Sequence, residues 1–166
     1  VAPTVVPRLA AAMSRMTEPV DLVLDHLEGY RGSRPVRIGN NAVGQRQIDV
    51  YGELMDSVYL FNREVPISYD LWTLLSRRLD WLADHWDQPE EGIWETRGGR
   101  QHFTYGRLMS WVALDRGIRL ASAHGRPAPL DRWHRERDAI YDQIMERGWS
   151  PARQAFRQHY GTDVLD

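Results

Sequence analysis

The residues of this chain best suited to chemistry stand together in Glu90-Glu91-Gly92-Ile93-Trp94-Glu95-Thr96-Arg97-Gly98-Gly99. Three carboxylates, an indole and a guanidinium share this short segment with three glycines. Carboxylates serve as general acids and bases, and an aromatic face or a guanidinium can hold a ligand beside them. Glycine costs about 1 kcal/mol in a helix interior relative to alanine, and it weakens a strand too. The segment therefore reads as a structured loop, the kind of place where chemistry is mounted on a rigid frame. Composition alone makes Glu90, Glu91 and Glu95 an exposed acidic loop. Glu95 is set apart by its neighbours. Trp94 lowers the local polarity and pushes a carboxyl pKa up toward the range of a general acid, whereas Arg97 favours the ionised form. Cleavage of a sugar acetal normally needs two carboxylates, and spacing does not say which would be the second.

The frame is helical. The first long helix is expected over 42–62, apolar on more than one stripe and so packed on more than one side. Pro66 marks its exit, and Ser68 caps a second helix over 69–86, where Leu71, Leu74, Leu75, Leu79, Leu82 and Trp86 recur at helical spacing. After the 87–103 loop, Thr104 is the expected cap of a third helix reaching about residue 123, which Gly125, Pro127 and Pro129 end. A charged, amphipathic fourth helix over 130–147 turns Trp133, Ile140, Ile144 and Met145 inward, and Gly148 stops it. The tail 149–166 alternates weakly, which fits a short hairpin. Upstream, 5–16 fits a short helix, and 17–36 is loop-like with Leu22, Val23, Leu24 and Leu27 pinned to a core.

Helix order has a geometric consequence. Short connections make neighbouring helices antiparallel, so the first and third long helices run parallel with their N-termini at one end. The loops feeding them, 31–41 and 87–103, should share that rim. The wide apolar arcs of these two helices mark them as inner and the charged ones as outer.

Other chemistries are excluded or weak. Net charge is −2, with a 42% hydrophobic and 27% charged composition, which gives no bias toward nucleic acid or an anionic membrane. All 21 basic residues are arginines. There is no cysteine, so no disulfide, thiolate catalysis or cysteine-ligated zinc; this fits a cytoplasmic setting. No apolar run reaches membrane-spanning length, and no charged n-region precedes an apolar core as in a signal peptide. The first residue is Val1, which fits a piece of a longer polypeptide. Gly39-Asn40-Asn41-Ala42-Val43-Gly44 has phosphate-loop glycine spacing, but Gln45-Arg46 follows in place of Lys and Ser or Thr. The six histidines have no metal-ligand spacing. The run Asp131 to Asp138 balances its charges as a solvated face. Seven tryptophans and seven tyrosines are read first as packing.

Taken together, several segments strongly resemble the bacterial branch of glycoside hydrolase family fifteen. They are Gly29-Tyr30-Arg31-Gly32-Ser33-Arg34-Pro35-Val36-Arg37-Ile38-Gly39-Asn40-Asn41-Ala42-Val43-Gly44-Gln45-Arg46-Gln47-Ile48-Asp49-Val50-Tyr51-Gly52-Glu53, the Glu90–Gly99 segment, His102 through Arg116, and Phe156 to Asp166. The resemblance covers residues 26–166 and leaves 1–25 unplaced. It implies an all-α fold, part of an (α/α)6 toroid of which four to five helices are present. It implies hydrolysis of an α-glucosidic bond with inversion, without a cofactor, and an α-glucoside or oligosaccharide as the partner. The family's general acid follows the tryptophan of this loop, which is Glu95 here. Trp94, Arg97, Arg37, Asn40 and Asn41 would line the glucose pocket, with Gln45, Gln47 and Asp49 as outer candidates. The family's Trp-x-Arg-Asp segment is absent, and its catalytic base would fall beyond Asp166. The chain therefore looks like the middle portion of an enzyme, expected to turn over little by itself and to self-associate through the edges of an unfinished ring. A stand-alone helical carbohydrate-binding or interaction module is the competing expectation.

Overall fold

Among the described residues four α-helices carry the structure: α1 (Asp49–Phe61), α2 (Tyr69–His85), α3 (Thr104–His124) and α4 (Leu130–Gln143), the last running into a π-helical turn, Ile144–Gly148. A computed structural model describes residues 22–38, 44–94 and 98–165. It separates into two units, residues 1–45 and 46–166.

In the first unit, β1 (Leu22–Val23) pairs antiparallel with β2 (Arg37–Ile38), Leu22 opposite Ile38 and Val23 opposite Arg37. The Leu24 N–H extends the ladder to the Val36 carbonyl at 2.8 Å. Leu22, Val23 and Leu27 are exposed and Leu24 only half-buried. The expectation that they are pinned to a core is corrected: backbone pairing holds this segment, not apolar burial. The expected helix over 5–16 lies outside the described residues.

In the second unit, Ser68 caps α2 as expected, its Oγ accepting the Leu71 N–H at 3.2 Å. Leu71, Leu75, Leu79 and Leu82 form the buried stripe of α2, while Leu74 is exposed. Gly125 ends α3 in the left-handed conformation (φ +58°), a backbone that L side chains adopt only with strain. On α4, Trp133 and Ile140 are fully buried and Ile144 nearly so, but Met145 faces out. The tail forms the expected hairpin, β3 (Trp149–Ser150) against β4 (Ala155–Phe156).

Side-chain pairs along α1 and α3 match start to start and end to end. Tyr105 donates to Glu53 at 2.6 Å, Arg116 donates to Asp56 at 2.7 Å, and Asn62 meets His124 at 2.9 Å. The two helices are therefore parallel, as their order in the chain requires. Their crossing depends on Gly52. A Cβ there would lie 2.3 Å from the Met109 carbonyl oxygen and 2.7 Å from the Met109 Cβ. Backbone cannot yield as a flexible side chain does. We therefore expect Gly52→Ala to destabilise the fold by about 2 kcal/mol or more, against the roughly 1 kcal/mol of helix propensity it gains. Urea denaturation measures this; a stabilised variant would mean the crossing opens freely.

Three expectations about these helices are corrected. The first long helix begins at Asp49, not near residue 42, and residues 45–48 are non-helical. The backbone N–H groups of Arg46 and Ile48 are taken by the carboxylates of Glu91 and Glu90, so they do not enter a helical ladder. Second, α1 buries one narrow stripe, Asp49, Gly52, Met55 and Val58, while Val50 and Leu60 are exposed. Among the described helices, α3, with 12 buried residues spread around its circumference, is the one packed on several sides. Third, Thr104 does not cap α3. Phe103 occupies the N-cap without a side-chain bond, and the Thr104 side chain turns into the interior.

Candidate functional site

The loop between α2 and α3 is closed at its root by a two-way backbone bridge. The Glu90 N–H donates to the Gln101 carbonyl at 2.9 Å, and the Gln101 N–H to the Glu90 carbonyl at 2.8 Å. Just inside the root, the Glu91 N–H donates to the Arg46 carbonyl at 3.0 Å, and the Glu91 carboxylate accepts from the Arg46 N–H and from Arg100 Nε. Burial works to raise the Glu91 pKa, but these hydrogen bonds outweigh it and hold the carboxyl below its usual range. Arg46 also donates from its guanidinium to Gln88. Gly92 then bends the chain with φ +71°, and the Phe103 ring lies where its Cβ would go. Beyond this base the indole of Trp94 is 67% exposed.

Beneath the root is a buried ionic cluster. Glu90 and Arg107 are both fully buried. Glu90 Oε2 accepts the Ile48 N–H at 2.9 Å, and Oε1 lies 4.0 Å from Arg107 Nη1. Arg107 Nη2 donates to the Gln88 carbonyl at 3.0 Å and to His102 Nδ1 at 2.7 Å. The His102 ring in turn stacks on Tyr160, over which Arg147 sits at 4.7 Å. Burial is the largest influence on Glu90 and raises its pKa to about 7. The Ile48 N–H and Arg107 oppose the rise, and Asp49 and Glu91 add to it. Burial likewise raises Asp49 and lowers His102, the latter helped by Arg107. The Tyr105 hydroxyl is pushed up to about 12, chiefly by its bond to Glu53, and the Tyr160 hydroxyl to about 12 by burial.

This arrangement predicts a pH dependence with a definite sign. The folded-state pKa of Glu90 stands above its ordinary value of 4.5. The folded form thus binds the proton more tightly than the unfolded form does. The contribution to stability is complete below pH 4.5 and is lost as pH rises through 7. A shift of this size corresponds to about 3 kcal/mol. We expect urea denaturation at pH 5 and pH 8 to give Glu90→Gln a pH dependence flatter than that of the parent by roughly this amount. Parallel pH profiles for the two proteins would rule out a titrating Glu90.

Of the residues singled out from the sequence, Glu95, Arg97, Asn40 and Asn41 lie outside the described residues. Trp94 stands on the loop, and Arg37 is exposed on β2. Asp49 is buried as the first residue of α1. The reading of Glu90 as an exposed acid is corrected, because the Ile48 N–H and Gly106 draw its side chain inward. Arg107 escaped notice altogether. Its signal was present: it falls on the apolar stripe of α3 together with Ser110 and Leu114, next to a helix-interior glycine. A cavity of about 370 Å³ lies elsewhere, between the start of α3 and the tail hairpin, lined by Tyr105, Leu108, Ile144, Phe156 and Leu165. Among the described residues no group of acidic and histidine side chains is arranged to hold a metal ion, and no helix is long and apolar enough to cross a membrane.

The model of the glycosyl hydrolases family 15 matches residues 8–166. The chain is 44% identical over 149 residues to a trehalase of Mycobacterium tuberculosis, covering 89% of this chain and 22% of that protein. It is 43% identical over 150 residues to a trehalase of Mycolicibacterium smegmatis, again 89% and 22%. To a trehalase of Thermoplasma acidophilum it is 38% identical over 141 residues, 84% of this chain and 24% of that protein. The chain thus spans less than a quarter of the length of these relatives. In architecture it is similar to a solved glycosidase in complex with glucose, with a TM-score of 0.65 at 20% identity over 97% of this chain and 42% of the other. That likeness fits a helical fold that is part of an (α/α)6 toroid. Residues 8–166 account for nearly the whole chain, and on that match it belongs to the glycosyl hydrolases family 15.

Proposed function

We propose that the polypeptide carrying this chain hydrolyses α-glucosidic bonds with inversion, that Glu95 is its general acid, and that trehalose is the first substrate to test. Three trehalases align with this chain over more than four-fifths of its length. The observation that carries the reading is the loop itself. It is rooted by the Glu90–Gln101 bridge at the shared N-terminal end of α1 and α3, and it lifts an exposed indole next to Glu95. A sugar face can stack on Trp94, while Arg97 supplies donors for glucose hydroxyls.

In the proposed reaction Glu95 delivers its proton to the glycosidic oxygen as the bond to the anomeric carbon breaks. Water attacks that carbon from the opposite face and loses its proton to a second carboxylate, leaving β-glucose and the freed alcohol. We assign that second carboxylate to no residue of this chain. The 166-residue polypeptide should accordingly release little or no glucose, and the edges of its unfinished ring should promote self-association.

Proton NMR of the first product formed from trehalose and maltose, by an active polypeptide that includes residues 1–166, tests the reading. From trehalose, equal initial amounts of β-glucose, from the attacked unit, and α-glucose, from the leaving unit, are expected; α-glucose alone would exclude the inverting route, and hydrolysis of neither sugar would exclude the substrate class. If the isolated chain binds oligosaccharide saturably without any longer form hydrolysing it, the competing view of a carbohydrate-binding module takes over.

A further inference from the structure

We propose that Glu90 is a positioning residue, whose buried carboxyl fixes the root of the loop along which Glu95 follows in sequence. The inference rests on the reading of Glu95 given above.

Glu90 is one residue tied to three elements. Its carboxyl accepts the Ile48 N–H at the entrance to α1. It fills the space over Gly106 in the first turn of α3, where a Cβ would come within 1.5 Å of Oε1. Its backbone closes the loop against Gln101. Glu95 follows five residues later along the same loop. A small displacement of the carboxyl therefore moves the loop root against both helices, and reacting groups lose rate steeply when misplaced by an ångström.

Packing alone does not account for this side chain. An apolar residue of similar volume would fill the space without removing a charge from water, and buried ion pairs are often no more stable than such replacements. Glu90 Oε1 has no hydrogen-bond partner among the described residues, and neither do Arg107 Nε and Nη1. The pair is held at 4.0 Å, beyond direct bonding distance. Buried groups left short of partners are uncommon and concentrate where function constrains the fold. The charged groups facing Glu90 are Arg107 from α3, Asp49 from α1 and Glu91 from the loop. They make the carboxyl's position responsive to its own charge state.

The test uses an active polypeptide containing residues 1–166 and measures kcat and KM on trehalose or maltose, whichever it cleaves, from pH 5 to 8. Glu90→Gln keeps an acceptor for Ile48 and the side-chain volume but removes the charge facing Arg107. We expect kcat to fall about tenfold with KM within twofold, a changed pH profile of kcat, and faster amide exchange at Ile48 and Gln101 without faster exchange along α2 and α4. Glu90→Asp, which restores the charge, should recover part of kcat. Parent-like kcat and pH profile in Glu90→Gln would overturn the inference. So would a kcat loss accompanied by faster exchange throughout the helices, the mark of a purely structural role. Should Glu90→Gln not fold, Gly106→Ala displaces the same carboxyl and is judged by the same readouts. Glu95→Gln is assayed alongside. If it keeps full activity, the functional reading fails and this inference with it; if it is inactive while Glu90→Gln is normal, only the positioning role fails.

Discussion

Replacing Glu95 by Gln is expected to lower kcat for glucose release about a thousandfold, within the range that a positioned general acid contributes. The amide keeps the shape and hydrogen-bonding reach of the carboxyl but has no proton to give to the departing oxygen. KM should change little, because the lost interaction belongs to the transition state and not to the bound ground state. Two further signs separate this from incidental damage. The alkaline limb of the kcat profile, set by ionisation of the acid, should vanish. A substrate whose leaving group needs no proton, such as α-glucosyl fluoride, should be cleaved by the variant at a rate much nearer that of the parent. A variant that retains more than a tenth of the activity on trehalose or maltose would show that another residue donates the proton.

The largest effect on stability is expected at Trp133. Its side chain is fully buried at the centre of the contacts among α2, α3 and α4. It meets Trp72 edge to face at 6.1 Å, and its indole N–H donates to Asp80 Oδ1 at 2.8 Å. On α3, Gly117 lies beside the ring: a Cβ there would be in ordinary contact with it at 3.4 Å, and 2.3 Å from Leu79 Cδ1. Trp133→Ala would remove the ring, leave a cavity that rigid helices cannot collapse, and strip Asp80 of its donor. A cost of about 4 kcal/mol is expected, enough to unfold much of a marginally stable domain at 37 °C. Chemical denaturation of Trp133→Ala and Trp133→Phe measures it. Phe should recover most of the loss, since the packing is larger in magnitude than the single hydrogen bond. Equal losses for Ala and Phe would assign the stability to the Asp80 bond instead.

What the sequence made legible follows from period and punctuation. The stripe Leu71, Leu75, Leu79, Leu82 and the cap at Ser68 rest on local rules and are found where those rules put them. The parallel arrangement of α1 and α3 follows from helix order. The start of α1 was not legible, because Arg46 and Ile48 surrender their amides to carboxylates more than forty residues away. Thr104 failed as a cap for a related reason: its N–H joins the tail at Gln158 while its side chain is buried. At the candidate site the loop and its indole were readable from composition, but the carboxyl beneath them was not. Glu90 and Glu91 are neighbours that look alike in a sequence, and only contacts with the distant Gly106 and Ile48 turn the Glu90 carboxyl inward.

The parallel course of α1 and α3 has an electrostatic consequence. Antiparallel neighbours largely cancel each other's macrodipoles, whereas these two add theirs at one rim. Each N-terminus carries a partial positive charge of roughly half a unit. Asp49 opens α1, and Glu90 reaches the first turns of both helices. The acids gathered under the loop therefore sit where anions are most welcome, and that local field tempers what burial does to them.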